Sequence, residues 1–331
     1  CAAAVVFLCL VEMRRLLRSN AEKYPDLLNM LDLVALATVA DVAPLVDVNR
    51  AFVRQGLKIL ANRKRIGLAA LSDQIKIDQE LTAYHLGFLL GPRINAGGRI
   101  GKPDLGAQLL IARDLEAAKA MAERLDQLNF ERRELEKQIT EVALEQATHQ
   151  KTIDSLSWAA GDSWHPGVVG IVASRLKEAT NLPSIVIGFD GLIGKGSGRS
   201  VSGVDLGFAI QKLVKEGLLL TGGGHKMAVG LSVARENLEK AMYRLNEIIK
   251  QHGAPIDSSP KVNIDSLLLP SAATLELVEL LNSAGPYGPG AKAPTFVFAS
   301  MQVTYFKRVG TSHLRIKFGD NTGSLDAICF N

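Results

Sequence analysis

The stretch Thr221-Gly222-Gly223-Gly224-His225-Lys226-Met227-Ala228-Val229-Gly230 sets three successive glycines and a histidine between two apolar segments. Without Cβ atoms the backbone can present its N–H groups to a phosphate, and His225 and Lys226 stand beside it as further donors. The same ten residues also describe a tight turn whose histidine is a satisfied core residue, and alone they do not separate the two. A second glycine-spaced run, residues 194–200, carries Ser197, Arg199 and Ser200 among Gly194, Gly196 and Gly198, so hydroxyl and guanidinium donors can gather around an anion. A third, residues 91–99, carries Arg93, Asn95 and Arg99; there a guanidinium can grip a phosphate bidentately or close an ion pair between lobes. The G-x-x-x-x-G-K-[ST] phosphate loop is absent: Gly285 and Gly290 have the glycine spacing, but Ala291 stands where lysine is required.

His165, at the start of a helical pattern and followed by Pro166, reads as a phosphate donor or as a capping or core histidine. Asp41 closes the nearly all-apolar run 31–45, just before Pro44, and on its own reads as a helix cap or the partner of a nearby base. Near the end of the chain His313, Arg315 and Lys317 alternate with Leu314, Ile316 and Phe318, which puts three basic groups on one face of a strand. With Tyr305, Phe306, Lys307 and Arg308 they could line a cationic groove with stacking aromatics, or they are solvated charges that protect an edge.

The elements that must hold these residues follow from pattern. Residues 1–112 alternate helical patterns with short apolar runs. From Arg113 to Gln150 there is no glycine or proline, and Ala118, Met121, Leu125, Leu128, Leu135, Ile139 and Val142 fall on one stripe broken only at Arg132. A single helix there spans roughly 55 Å, long enough to bridge two lobes. Residues 151–252 have mixed α/β texture, with strands at 155–160 and 184–189 and helices at 168–179, 206–216 and 236–251. Residues 258–331 begin with a short helix at 275–281 and then turn to strands at 295–306, 313–318 and 324–330, a small barrel incomplete at the last residue.

Composition agrees with this division. At 331 residues two or three domains are expected, and 47% hydrophobic with 22% charged residues describes a soluble globular protein. The net charge of +4 is compatible with a polyanionic partner without requiring one. Cys1, Cys9 and Cys329 have neither disulfide-framework nor C-x-x-C spacing, which predicts reduced thiols and a cytoplasmic protein. The apolar run 2–11 lacks a preceding positive charge and is too short to span a bilayer, so neither a signal peptide nor a membrane span is expected. It reads as an amphipathic helix entered partway, with further residues expected upstream of Cys1.

These motifs, taken in order, resemble the RecJ family of the DHH phosphoesterase superfamily, across essentially the whole chain. Residues 31–45 resemble the family's fourth catalytic motif, and residues 91–99 its Arg-x-Asn-Ala-x-Gly-Arg element. Residues 165–176, 196–200 and the triple-glycine stretch resemble the DHH-associated domain, and the final segment the family's OB fold. The resemblance implies an α/β fold: a partial DHH domain over 1–112, a long connecting helix over 113–150, a mixed α/β DHH-associated, substrate-binding domain over 151–252 and an incomplete OB-fold barrel over 258–331.

It further implies a 5′→3′ exonuclease specific for single-stranded DNA, acting in repair and recombination by hydrolysis at two divalent ions, Mn²⁺ or Mg²⁺. Asp41 matches the motif-four metal ligand. Arg93, Asn95 and Arg99 would contact phosphate, and Ser197, Arg199, Ser200, Gly222, Gly223, Gly224, His225 and His165 would hold the terminal nucleotide across a cleft from the metals. Tyr305, Lys307, Arg308, His313, Arg315 and Lys317 would hold the strand, and Tyr287 would stack on a base or plug the barrel.

Three earlier family motifs, the Asp-His-His signature among them, do not occur in these residues, so the chain as given is expected to bind metal poorly and to cut nothing. Gly101 and Lys102 stand where the family carries acids, and residues 291–294 depart from its usual Asn-Pro-Glu-Pro. A monomer is expected, with a single-strand-binding protein and a helicase as family-type partners. The competing readings are a DHH-type phosphodiesterase of short oligonucleotides or cyclic dinucleotides, and a noncatalytic single-strand-binding module.

Overall fold

The structure is a computed structural model that describes residues 1–17, 25–149, 154–252, 262–310 and 312–330. The expected segment edges at 150–153 and 258–261 lie outside the described residues. By packing, the chain forms two compact units: one of residues 1–64, 77–91 and 260–331, the other of residues 65–76 and 92–259.

In the first unit every element before residue 92 is helical among the described residues. Helices α1 (Ala2–Leu16), α2 (Leu31–Ala40) and α3 (Asp47–Ala61) share a small core in which Phe7 meets Phe52 edge-on at 5.3 Å between ring centroids. The apolar run 31–45 is α2, buried nearly all round, which is why its sequence shows no polar stripe. Gly56 of α3 lets the two helices touch: a Cβ there would stand 2.2 Å from the Leu31 carbonyl oxygen. Asp41 is the C-cap of α2, its N–H donating to the Ala37 carbonyl at 2.9 Å, and Val42 and Pro44 then turn the chain away.

The same unit holds the last segment. A two-stranded parallel ladder, β6 (Ser266–Leu267) with β7 (Phe296–Val297), accompanies an antiparallel meander of β8 (Gln302–Val309), β9 (His313–Asp320) and β10 (Gly323–Cys329). No closed barrel forms among the described residues, and the expected strand 295–306 is two strands separated by an irregular stretch. Helix α11 (Leu275–Ser283) ends against α3, where Arg50 and Arg54 donate to the carbonyls of Ala284, Ser283 and Gly285. Tyr287 locks that junction: its hydroxyl donates to the Leu281 carbonyl at 2.6 Å and its ring lies 5.9 Å from the Arg50 guanidinium carbon. It therefore holds this junction, and among the described residues there is no closed barrel for it to plug.

The second unit is built on helix α7 (Leu115–His149), 35 residues and about 52 Å long at 1.5 Å per residue. Its first half packs on α4 (Ile66–Gln74) and α6 (Leu105–Ile111), its second half on α8 (Pro166–Thr180) and β1 (Ser157–Asp162). Within one unit it thus joins a helical group to a sheet. That sheet runs in the order β1, β2 (Ser184–Asp190), β3 (Ile193–Arg199), β5 (Ala228–Ala234), β4 (Thr221–His225); β1 and β2 are parallel and the remaining pairs antiparallel.

Alternation along the strands sorts side chains onto two faces. Ile185, Ile187, Val229, Leu231 and Val233 enter the main core under α9 (Leu206–Lys215) and α10 (Leu238–His252). Ala159 and Val186 enter the second core under α8 and the end of α7. Helix α8 covers β1, β2 and β3, and on that face β5 and β4 carry Gly230 and Gly223 with open space above them.

Two of the glycine-rich stretches are strands. Residues 221–225 are edge strand β4, and residues 193–199 are β3 in the interior of the sheet. Glycine is a poor strand former, and the ladders to β5 on both sides fix these segments in spite of it. The third, residues 91–99, belongs to helix α5 (Gly91–Ile100). Gly97 and Gly101 let α5 sit directly on α7: a Cβ on Gly101 would lie 2.7 Å from Leu128 Cδ1.

Candidate nucleic-acid interface

The sheet face beside α8 gathers most of the expected anion ligands. Register pairs Arg199 with Ala228 and His225 across β3, β5 and β4, Ser197 with Gly230 and Gly223 in the next row, and Lys195 with Ser232 and Thr221 in the third. Period-two alternation puts all nine residues on one face. Gly223 and Gly230 have no atom within 4 Å of where a Cβ would stand, so the middle of this face is bare backbone.

The start of α8 borders that floor. His165 is its N-cap, with Nδ1 accepting from the Gly167 N–H at 3.1 Å, and Pro166 occupies the first helical position, where no N–H is needed. That bond fixes Nδ1 as an acceptor and leaves Nε2, on an exposed ring, to carry the proton outward when the imidazole is neutral. Trp164 lies on Gly161 and Gly188, whose missing side chains make room for its indole and backbone and so place His165.

Two arginines complete the group. Arg199 Nη1 donates to Ser197 Oγ at 3.0 Å and to the Gly198 carbonyl at 2.8 Å. Arg99, at the end of α5, donates from Nη1 to the Gly167 carbonyl at 3.1 Å. Burial lowers the pKa of Arg199 below the usual guanidinium value, and the nearby charge of Arg99 lowers it further. Neither arginine has a carboxylate partner among the described residues. Two cations close enough to disfavour each other, beside a helix N-terminus, form a site whose electrostatics are relieved by an anion.

Asn95 lies one turn before Arg99 on the same exposed side of α5. Arg93 is directed elsewhere: its Nε donates to Asp126 Oδ1 of α7 at 2.7 Å in a half-buried ion pair, the alternative the sequence left open.

Two expectations need correction. Ser200 is buried at 1% exposure, and its hydroxyl donates to the Val204 carbonyl at 2.8 Å, so it shapes the turn into α9 and does not face a phosphate. The glycines beside Ser197 and Arg199 do not open the anion site either. Gly194, Gly196 and Gly198 lie on the opposite face, where a Cβ on Gly198 would meet Ile185 Cδ1 at 2.5 Å and Val229 Cγ2 at 2.6 Å. Gly222 likewise faces Ile210 and Val214, and Gly224 has φ +146°. Of the triple glycine, Gly223 alone lies on the open floor.

Sequence reasoning missed Gly167 and Gly170 of α8. A Cβ on Gly167 would stand 2.2 Å from the Arg99 carbonyl oxygen, and one on Gly170 would stand 3.2 Å from both Arg199 Nη2 and Ser197 Oγ. It also missed Lys195, which the 195/197/199 alternation could have flagged.

In the meander of the first unit, Tyr305, Lys307 and Val309 pair in register with Lys317, Arg315 and His313, so these residues share a face. Arg308 pairs with Leu314 and faces the other way, apart from the basic group it was expected to join. Asp326, opposite Lys317, accepts from Arg315 Nη2 at 3.2 Å and neutralises part of that face.

Asp41 is exposed, and among the described residues no group of three or more His, Cys, Asp or Glu side chains converges as a metal site. One carboxylate does not fit a two-ion centre, whose bridged cations need several ligands from different elements.

Comparison with known proteins fits this arrangement. Residues 149–251 match the DHHA1 domain and residues 264–331 the RecJ OB domain, which places the chain in the class of proteins that carry a DHHA1 domain followed by a RecJ OB domain. It is 38% identical over 324 residues to the single-stranded-DNA-specific exonuclease RecJ of Dickeya dadantii and 37% identical over 321 residues to that of Escherichia coli, in each case over 93% of this chain and 55% of the relative. A crystal structure of RecJ in complex with Mn²⁺ from Thermus thermophilus superposes with a TM-score of 0.79 at 30% identity, covering 92% of this chain and 44% of that one. A second, of RecJ in complex with Mg²⁺ from the same organism, gives 0.78 at 27% identity over 92% of this chain and 52% of that one. The chain belongs to the RecJ family and corresponds to its C-terminal region, spanning about half the length of the curated relatives it matches.

Proposed function

We propose that this chain is the end-binding and strand-holding part of a single-strand-specific 5′→3′ exodeoxyribonuclease of DNA repair and recombination. The observation that carries the proposal is the convergence of Arg99, Arg199, Ser197 and His165 beside the open backbone of Gly223 and Gly230, with no carboxylate partner for either arginine among the described residues. A terminal phosphate accepts from the two guanidiniums and from His165 Nε2, beside the positive end of the α8 dipole. The bare floor, edged by His225, then receives the sugar and base, which a side chain on either glycine would displace. Asn95 and Lys195 extend the donor set to the next phosphate. Lys307, Arg315, Lys317 and His313, with Tyr305 to stack, hold the strand that follows.

In the complete enzyme Asp41 would contribute one carboxylate toward holding Mn²⁺ or Mg²⁺, whose chemistry there would be to activate the attacking water. The remaining ligands belong to parts of the protein outside these residues. The whole protein acts as a cytoplasmic monomer on single-stranded DNA, with a single-strand-binding protein and a helicase as partners. No helix among the described residues is long and apolar enough to cross a membrane.

The test has two arms. The 331-residue chain is titrated with single-stranded DNA bearing a 5′-phosphate or a 5′-hydroxyl, and tighter binding of the phosphorylated strand is expected. A chain extended to the length of its relatives is then assayed with Mn²⁺ on 5′-labelled single-stranded and duplex DNA. Degradation of single strands alone supports the reading, and equal degradation of duplex overturns it. Preferential cleavage of dinucleotides over long strands would instead place the enzyme with the short-substrate phosphodiesterases.

A further inference from the structure

Arg132 interrupts the apolar stripe of α7 at a position where a leucine would fit the pattern. Its side chain is 11% exposed, Nη1 donates to Glu136 Oε2 at 2.9 Å, and Nη2 donates to the buried Asn129 Oδ1 at 3.1 Å. Nε is buried without a partner among the described residues. Glu136 is equally enclosed, and its other oxygen accepts from Arg175 of α8 at 3.1 Å. A buried cation with one orphaned donor is an expensive choice where an apolar residue of similar volume would serve packing better.

The neighbourhood explains the choice. The end of α5 lies on this part of α7: Gly101 sits against Leu128, one turn before Arg132, and Ile100 and Leu135 both pack against the core cluster that holds Ile139. Arg99 therefore emerges beside Arg132, close enough for its charge to be felt there, and on its other side it is felt by Arg199. Among the described residues Arg132 alone of the three guanidiniums has a carboxylate partner, Glu136.

We propose that Arg132 is a positioning residue for Arg99: by occupying Glu136 and presenting a second cation, it keeps the Arg99 guanidinium turned toward the Gly167 carbonyl and the start of α8. This rests on the reading of that place as the site of the terminal phosphate. Without Arg132, Glu136 draws Arg99 away and the phosphate loses one charge-assisted donor. Packing alone does not require this arrangement, because an apolar stem fills the same space.

The experiment measures binding of 5′-phosphorylated and 5′-hydroxyl single-stranded oligonucleotides to the 331-residue chain by anisotropy, with thermal melting alongside. Arg132→Met is expected to weaken binding of the phosphorylated strand about tenfold, the loss of one charged hydrogen bond, with little change for the hydroxyl strand and a fall in Tm, since Glu136 is left to Arg175 alone. Arg132→Lys keeps the cation and is expected to stay within about twofold of the parent. The double variant Arg132→Met/Glu136→Gln removes the competing acid as well and is expected to recover most of the affinity. Unchanged discrimination in Arg132→Met, or a double variant no better than the single, overturns the inference. If the parent chain itself does not distinguish the two ends, the terminal-phosphate reading fails and this inference with it.

Discussion

Gly223 and Gly230 stand opposite each other across the β4–β5 ladder, and neither has an atom within 4 Å of the space a Cβ would fill. Their neighbours Gly222 and Gly198, one residue or one strand away, face packed side chains instead. One face of the sheet is thus kept bare by glycine for access, and the other is glycine because the core leaves no room.

Gly223→Val and Gly230→Val are expected to leave the melting temperature equal or higher, since an exposed strand glycine costs about 0.5–1 kcal/mol relative to a residue with a Cβ. Both are expected to weaken single-strand binding by occupying the floor. Thermal melts paired with oligonucleotide titrations check this, and unchanged affinity would remove the floor from the site.

Gly198→Ala and Gly224→Ala are expected to do the reverse. The first pushes a methyl into Ile185 and Val229; the second combines φ +146° with an approach of 2.3 Å to the Ala228 carbonyl oxygen. Each should cost roughly 1–3 kcal/mol of stability, read as a shift in the urea midpoint. Any loss of binding should then track the loss of folded protein.

Arg308→Ala and Lys307→Ala separate the two faces of the meander. Lys307 shares its face with Arg315 and Lys317, so its removal is expected to reduce the slope of log K against log salt by about 0.7, the value for one single-strand phosphate contact. Arg308, on the opposite face, is expected to leave the slope unchanged. Equal effects would show that the strand does not follow the Lys307 face.

Asp41→Asn tests the metal side. Mn²⁺ titrated into this chain is expected to bind weakly, without a saturable two-ion isotherm, and the substitution should leave the melting curve in place because the carboxylate is exposed at the end of α2. In the chain extended to the length of its relatives, the same substitution is expected to lower Mn²⁺ affinity and abolish cleavage. Unaltered metal binding there would exclude Asp41 as a ligand.

Local chemistry was readable along the chain. Proline and glycine punctuation bounded α8, α9, α10 and α11 to within a few residues, and the polar–apolar stripe, broken only at Arg132, announced α7. His165 before Pro166 announced a helix start, since a proline at the first helical position has no N–H to lose. Motif order sufficed for the family, because short-range constraints such as a cap, a turn or a run of glycines are written in adjacent residues.

The division of labour among neighbours was not readable in this way. Ser197 faces the open floor while Ser200 is buried, Lys307 and Arg308 point to opposite sides, and Arg93 turns to an aspartate 33 positions along the chain while Arg99 turns to α8. Glycine leaves no side chain in the sequence to say whether it opens a site or relieves a clash; that depends on which strand or helix lies across from it. Composition and spacing are properties of one stretch of chain, whereas access, pairing and charge balance arise between stretches, and packing alone brings those together.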